Sequence, residues 1–308
     1  MAKPETTGHA KIPRSRADKL FDIVNYTLLT VILLIVLYPL YFVVISSFSE
    51  PTAVNSGSVA LWPKGFTLEG YRIILENGDV WSGYAHTILY TALDVALGLA
   101  LMIPAGYALS RRDLVGRNWF MFGIVFTMFF SGGMIPTYMI VKDLHMVNTI
   151  WALVVPSAVS AYHLIVVRTF FQTSIPEEML EAAKMDGCSM FRFFFRMAVP
   201  LSAPIIAVMA LFNAVAQWNS YFPALIYLQD GSLYPLQLIL RGILISSQLS
   251  AQGADSGIAD PDSIVESQRY AELIKYALIM VASVPVLALY PFLQRYFVKG
   301  IMIGSIKG

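Results

Sequence analysis

The sequence predicts an all-α membrane protein. Two observations carry that reading: a composition too apolar for water, and the gathering of apolar residues into runs of membrane-spanning length. The 308 residues are 57% hydrophobic and 13% charged, with a mean hydropathy of +0.64, whereas soluble chains carry about a quarter charged residues. A bilayer core takes about 20 residues of helix. Six stretches reach that length, at about 23–47, 84–109, 119–141, 150–170, 198–220 and 271–293. They divide the chain into a tail over 1–22, a six-helix domain over 23–293 and a tail over 294–308. Two long connections lie inside the domain, at 171–197 and 221–270.

The first run, from Ile23 to Phe48, is too long for the apolar region of a signal peptide and ends without a small-residue cleavage pattern. It reads as a retained helix. The second carries an acid, Asp94, near its centre. Ser131, Gly132, Gly133 and Pro136 interrupt the third, so its last residues are expected to form a separate short helix at the interface. His163 lies in the fourth, beside Tyr162, and an amide- and aromatic-rich cluster closes the fifth. SLYPLQLILRGILISSQLS, residues 232–250, imitates a further span but places Arg241 at its middle. That arginine would cost about 2.5–3.5 kcal/mol at the bilayer centre, so an amphipathic or surface-packed helix is the cheaper arrangement. The polar run over 251–268 reads as loop.

Charge orients the six helices. Both tails and the 110–118 and 171–197 loops share one side, and with flanking Arg168 that side holds Lys3, Lys11, Arg14, Arg16, Lys19, Arg111, Arg112, Arg117, Arg168, Lys184, Arg192, Arg196, Arg295, Lys299 and Lys307. The other side keeps 6 of the 21 Lys and Arg. The positive-inside rule then places both termini in the cytoplasm. The formal net charge is +1, and no nucleic-acid partner is expected. A single cysteine, Cys188, excludes an internal disulfide, and no metal-ligand spacing is present.

The most polar stretch on the cytoplasmic side is TSIPEEMLEAAKMDG, residues 173–187. Ser174 is placed to cap a helix there, with Glu177 three residues on to complete a capping box and Pro176 in the first turn. Ala182 and Ala183 offer a low surface that a partner could approach, and Gly187 permits the turn that ends the helix. Such a helix suits docking; the plain alternative is a surface helix between spans.

Several polar side chains stand where lipid would be expected. Asp94 requires a partner, water or protonation, either along a pathway or in a buried bond that holds the bundle. His163 fits a helix–helix hydrogen bond as well as a ligand contact. Asn213 and Gln217 share one helical face, with Trp218, Asn219 and Tyr221 beside them. Amides and hydroxyls can bond sugar hydroxyls and rings can cover a pyranose face, while an interfacial aromatic belt would account for the rings alone. An ion-coupled secondary transporter should show inverted repeats and further charged groups at broken helices, and a membrane enzyme should show a catalytic constellation. The sequence displays neither.

The run EAAKMDGCSMFRFFFRMAVPLSAP, residues 181–204, resembles the EAA loop of ABC-importer membrane subunits. The stretches at 130–156, 212–228, 234–241 and 290–308 are similar to the maltose-type family of binding-protein-dependent sugar permeases, nearest to the oligosaccharide branch that includes alginate-type oligouronate importers. The resemblance implies the type I importer fold, with residues 175–190 as a cytoplasmic coupling helix. Glu181, Ala182, Ala183, Asp186 and Gly187 would then meet an ATPase subunit, Glu181 pairing with one of its basic residues. It further implies a second, non-identical permease, two cytoplasmic ABC ATPases and an external solute-binding protein, in a bacterial inner membrane. ATP and Mg would be held by the ATPases, because this chain has no GxxxxGK[ST] phosphate cradle and is expected to be non-catalytic. Asp94, His163, Asn213, Gln217, Trp218, Asn219 and Tyr221 remain the candidates for the substrate path.

Overall fold

The structure is a computed structural model that describes residues 15–254 and 269–288. The 294–308 tail and most of the 251–268 loop lie outside the described residues, as do residues 1–14 and 289–293. The regular structure is helical, with no strand among the described residues. The chain divides into two compact units, Met1–Leu68 and Glu69–Gly308.

In the first unit, α1 spans Arg16–Ser47 and a short α2 spans Pro51–Asn55. α1 starts some seven residues before the apolar run because Ser15 and Asp18 form a capping box: Asp18 N–H donates to Ser15 Oγ at 3.2 Å and Ser15 N–H to the Asp18 carboxylate at 2.9 Å. Its side chains from Leu20 to Leu40 are largely exposed apolar groups, as a helix facing lipid or another apolar helix requires.

The second unit is built around α4, Gly78–Ser110, preceded by α3, Glu69–Glu76. At 33 residues and about 1.5 Å per residue, α4 is roughly 50 Å long. Small residues along it admit different partners. A methyl group at Gly83 would collide with Leu236 and Ile239, one at Gly98 with Asn213 and Ala158, and one at Gly106 with Val167. Close helix approach through glycine is the usual packing device where lipid removes the hydrophobic drive. α5, Arg117–Phe129, and α6, Met134–Asp143, meet at 117°, the break falling on Phe130–Gly133, where Gly133 has φ +83°. The expected interruption of the third span is therefore a sharp bend.

The fourth span is not the continuous helix expected over 150–170. α7 covers Trp151–Val154 and α8 Ala161–Ser174. Pro156 cannot supply a helical N–H to continue the helix. Ser157 Oγ lies 2.7 Å from Leu153 O and 3.2 Å from Val154 O, and its one hydrogen is shared among these carbonyls and the Asp94 carboxylate. α8, at 14 residues, is by itself short of a crossing.

The fifth span begins earlier than expected and is bent. α9, Glu177–Met185, is followed by α10, Met190–Phe193, a π turn over Phe194–Ala198, α11, Val199–Leu201, and α12, Ala203–Trp218. The segments Met190–Leu201 and Ala203–Trp218 make an angle of 73°. Ser202, fully buried at that bend, donates its hydroxyl to Ala198 O. α13, Phe222–Tyr227, and α14, Leu236–Ala254, follow, and α15 covers Arg269–Ala288. α14 is the arginine-bearing segment; it packs Leu236, Leu238 and Leu240 inward. Among the described residues α1, α4 and α15 are long and apolar enough to cross a membrane, and the two bent pairs raise the number of candidate crossings to five.

Candidate functional site

At the C-terminal end of α4 lies α9. Its preceding residue, Pro176, has extended backbone at φ −62° and ψ 145° and offers no side-chain cap. Ser174 is the last residue of α8, so the expected Ser174 cap does not form. The start is supported instead by Glu177 and Glu178 in the first turn, favourable at the positive end of the helix dipole, and by Arg112, 3.6 Å from Glu177.

The other end of α9 is closed by paired backbone bonds. Cys188 N–H donates to Ala183 O at 2.8 Å and Gly187 N–H to Lys184 O at 3.0 Å, with Gly187 at φ +73°. This is a Schellman motif, which needs a left-handed residue at the glycine position. It carries the chain from α9 directly into α10.

The helix presents two faces. Leu180 and Ala183 are buried and join a core with Tyr107, Phe171, Phe193 and Phe194 from α4, α8, α10 and the π turn. Glu181, Ala182, Met185 and Asp186 are exposed, Met185 at 88%. Ala183 is thus not available to a partner, contrary to the expectation from sequence. Its small side chain lets α9 settle on its own core, and Ala182 alone keeps the outer surface low. Met185, three residues beyond Ala182, shares that outer face and was missed; helical spacing alone could have found it. A cleft of about 600 Å³ adjoins α9, lined by Arg111, Arg112 and Arg117 together with Glu177 and Glu178. There Arg111 grips Asp113 through two bonds, at 3.0 and 3.1 Å, and that hydrogen bonding holds the Asp113 carboxyl below the usual carboxylate range.

Along α4, toward its N-terminus, the predicted pathway residues separate into distinct settings. Asp94 is buried at 2% exposure and accepts a bond from Ser157 Oγ at 2.8 Å, at the α7–α8 break. One turn away on α4 is Gly98, over which Asn213 of α12 lies. Asn213 Nδ2 is buried without a hydrogen-bond partner, and Gln217, one turn further along α12, is also buried. Asp94, Ser157, Asn213 and Gln217 thus belong to a polar seam between α4, α12 and the broken fourth span. His163 stacks on Phe212, with centroids 5.5 Å apart, and its Nδ1 is buried without a partner.

The remaining candidates diverge. Trp218 is 6% exposed, donates Nε1–H to Ala282 O at 3.0 Å and packs against Tyr84, whose own hydroxyl donates to Val281 O. It is a fastener between α12, α4 and α15 rather than an open ring for a sugar. Asn219 is exposed and turns its amide back to Val215 O at 2.8 Å. Tyr221 carries the Arg241 guanidinium over its ring, 4.4 Å from the centroid. Asn148 is another residue that sequence reasoning passed over. At φ +60°, its side-chain oxygen accepts the N–H groups of Gln229 and Asp230, both at 2.9 Å, while its own N–H donates to Tyr227 O. It anchors the exit from α13. No cluster suited to a metal occurs among the described residues.

A family model for the binding-protein-dependent transport system inner membrane component matches residues 9–303. The polygalacturonan/rhamnogalacturonan transport system permease protein YtcP of Bacillus subtilis is 40% identical over 94% of this chain and 99% of its own. The arabinooligosaccharides transport system permease protein AraQ of Halalkalibacterium halodurans is 27% identical over 89% of this chain and 92% of its own. Among solved structures, a chain from a bacterial ABC transporter involved in the import of the acidic polysaccharide alginate superposes with a TM-score of 0.79 and 31% identity, covering 93% of this chain and 100% of that one.

Proposed function

Because the chain belongs to the family of binding-protein-dependent transport system inner membrane components, we propose that it is the permease subunit of an ATP-driven oligosaccharide importer, forming half of the translocation path. The observation that carries this reading is α9: a short helix seated on the protein's own core by Leu180 and Ala183, with Glu181, Ala182, Met185 and Asp186 left outward. In this reading that face docks on a cytoplasmic ABC ATPase, which binds ATP and Mg and performs the hydrolysis. Glu181 supplies a charge for orientation and Ala182 the close approach. Gly187 fixes the turn through which movement of α9 reaches α10 and α12.

A second, non-identical permease completes the path, and an external binding protein delivers the sugar. Positive charge on the α9 side supports a cytoplasmic location for α9 and for both termini. The names of the relatives support an oligosaccharide, with an acidic, uronate-rich one favoured. Asp94, Asn213 and Gln217 are the residues best placed to border the route; His163 stacks on Phe212, and Tyr221 lies against Arg241. ATP closure of the ATPase pair would shift the permease toward its outward-facing state, since a ligand moves an equilibrium only by preferring one state.

The test is uptake into vesicles holding the reconstituted complex. Transport with ATP and none with a nonhydrolysable analogue supports the proposal. Uptake that continues on an ion gradient without hydrolysis would establish the secondary-transporter alternative instead.

A further inference from the structure

The cleft at the N-terminal end of α4, opposite the end that carries α9, is lined by an arginine with one unpaired donor. It measures about 470 Å³ and is bounded by Asn77 and Asp79, by Leu225 and Tyr234, and by Arg241 with its neighbours on α14. Arg241 is half-buried, and its Nη1 is enclosed without a hydrogen-bond partner. A guanidinium is permanently charged and offers five donors in a planar fork, so enclosing one of them unpaired is costly. The Tyr221 ring supports the cation from one side but accepts no hydrogen bond in the guanidinium plane. An amide rim is available at Asn77, whose side-chain oxygen is occupied by Asp79 N–H at 2.9 Å, leaving its NH₂ group to donate to an incoming acceptor.

This side of the chain keeps only 6 of the 21 Lys and Arg, so a charge that selects an acidic cargo would be local. An arginine stacked on an aromatic ring and lining a cleft matches a planar carboxylate in shape and charge. We propose that Arg241, held by Tyr221, is a subsite for a uronate carboxylate of the transported oligosaccharide, with Asn77 meeting a neighbouring sugar hydroxyl or ring oxygen. The proposal rests on the permease reading and its acidic cargo, and deepens it by naming the group that reads the charge. Asp79, on the same wall, opposes a second carboxylate and so limits how many acidic residues the cleft accepts.

The test uses the complete transporter in neutral-lipid nanodiscs, held with ATP by an ATPase-inactivating substitution and without binding protein. The probes are a radiolabelled galacturonic acid trimer and its fully methyl-esterified form, followed by equilibrium dialysis. The unmodified permease should bind the acid at least tenfold more tightly than the ester. Arg241→Gln should remove that preference by weakening the acid alone, Arg241→Lys should keep much of it, and Asp79→Asn should strengthen acid binding. Equal binding of acid and ester, or equal weakening of both by Arg241→Gln, would overturn the subsite, as would no binding of either probe. ATP-dependent uptake by the unmodified complex is measured separately. Its absence would instead count against the permease reading, whatever the dialysis shows.

Discussion

Gly187 allows the conformational and steric parts of the docking argument to be separated. Its φ is +73°, and a Cβ built there meets nothing within 4 Å. A substitution is therefore strained by backbone conformation alone. An L-residue in the left-handed region costs about 1–2 kcal/mol, and less for asparagine, whose short polar side chain tolerates it. If the free turn relaxes and must be restored on docking, that cost corresponds to a loss of about 5–30-fold in ATPase affinity. The assay is capture of purified ATPase on immobilised permease over a concentration series. Gly187→Ala and Gly187→Val should weaken capture within that range, and Gly187→Asn distinctly less. Gly187→Pro fixes φ near −65° and deletes the N–H that donates to Lys184 O, so it should abolish capture while membrane insertion persists. Identical affinities for Ala, Asn and glycine would refute the account, because they would show that docking does not draw on this turn.

Other substitutions probe the interior. Gly98→Ala places a methyl 2.4 Å from Asn213 Nδ2 and 2.5 Å from Ala158 O. It should cost about 1–3 kcal/mol by overpacking, seen as a lowered melting temperature in detergent, whereas Gly123→Ala, with open space, should not destabilise. Trp218→Phe removes the bond to Ala282 O and should cost about 0.5–1.5 kcal/mol; Trp218→Ala should cost about 3–5 kcal/mol and reduce folded protein rather than uptake per folded molecule. Asn148→Ala should raise hydrogen exchange at Gln229 and Asp230, which lose their acceptor, and Asn148→Asp should restore protection. Because Asp113 titrates below the usual carboxylate range, the Arg111 bracket contributes above the ordinary carboxylate pKa and is lost as pH falls through the depressed one. Exchange across 111–116 should accelerate in that acid window, and Asp113→Asn should already be fast at neutral pH.

The all-helical architecture was legible because the bilayer imposes a length on each apolar run. The third-span break could be read from Ser131–Gly132–Gly133, since a glycine there, Gly133, adopts a left-handed φ. The fourth-span break carried an equivalent marker in Pro156, but prolines also occur inside α1 and α4 at Pro39 and Pro104 without ending them. What differs at Pro156 is Ser157, whose one hydroxyl hydrogen is shared between the local Leu153 and Val154 carbonyls and the Asp94 carboxylate. The Asp94 contact is tertiary and leaves no local signature. At α9 the glycine turn was visible and the burial of Ala183 was not, because an alanine suits a partner's surface and the protein's own core equally well. Trp218 misled for a related reason: an aromatic beside amides fits a sugar platform or a fastener, and only the carbonyl of Ala282 decides.

The two ends of α4 give these local readings a common mechanical consequence. Near its C-terminus Tyr107 packs against Phe171 and Phe194, centroids 5.4 and 5.0 Å away, in the same core that receives Leu180 and Ala183 from α9. Near its N-terminus Asn77 and Asp79 border the Arg241 cleft, and Thr87 Oγ1 accepts the Leu236 N–H at the start of α14. Between them lie Asp94 and Gly98, against Ser157 and Asn213. A displacement of α9 therefore meets a packed aromatic core, and one continuous helix leads from that core past the polar seam to the cleft. The π turn at Phe194–Ala198 and the 73° bend beyond it are where α10–α12 depart from regular helix, and π turns often mark functional positions. Coupling through such a path needs an element with two arrangements, not mere adjacency. The bend at Ser202 is the element to examine: a disulfide locking Met190–Leu201 to Ala203–Trp218 should leave ATPase capture intact and stop uptake, while a lock that left uptake unchanged would show that movement passes through α4 without reshaping the bend.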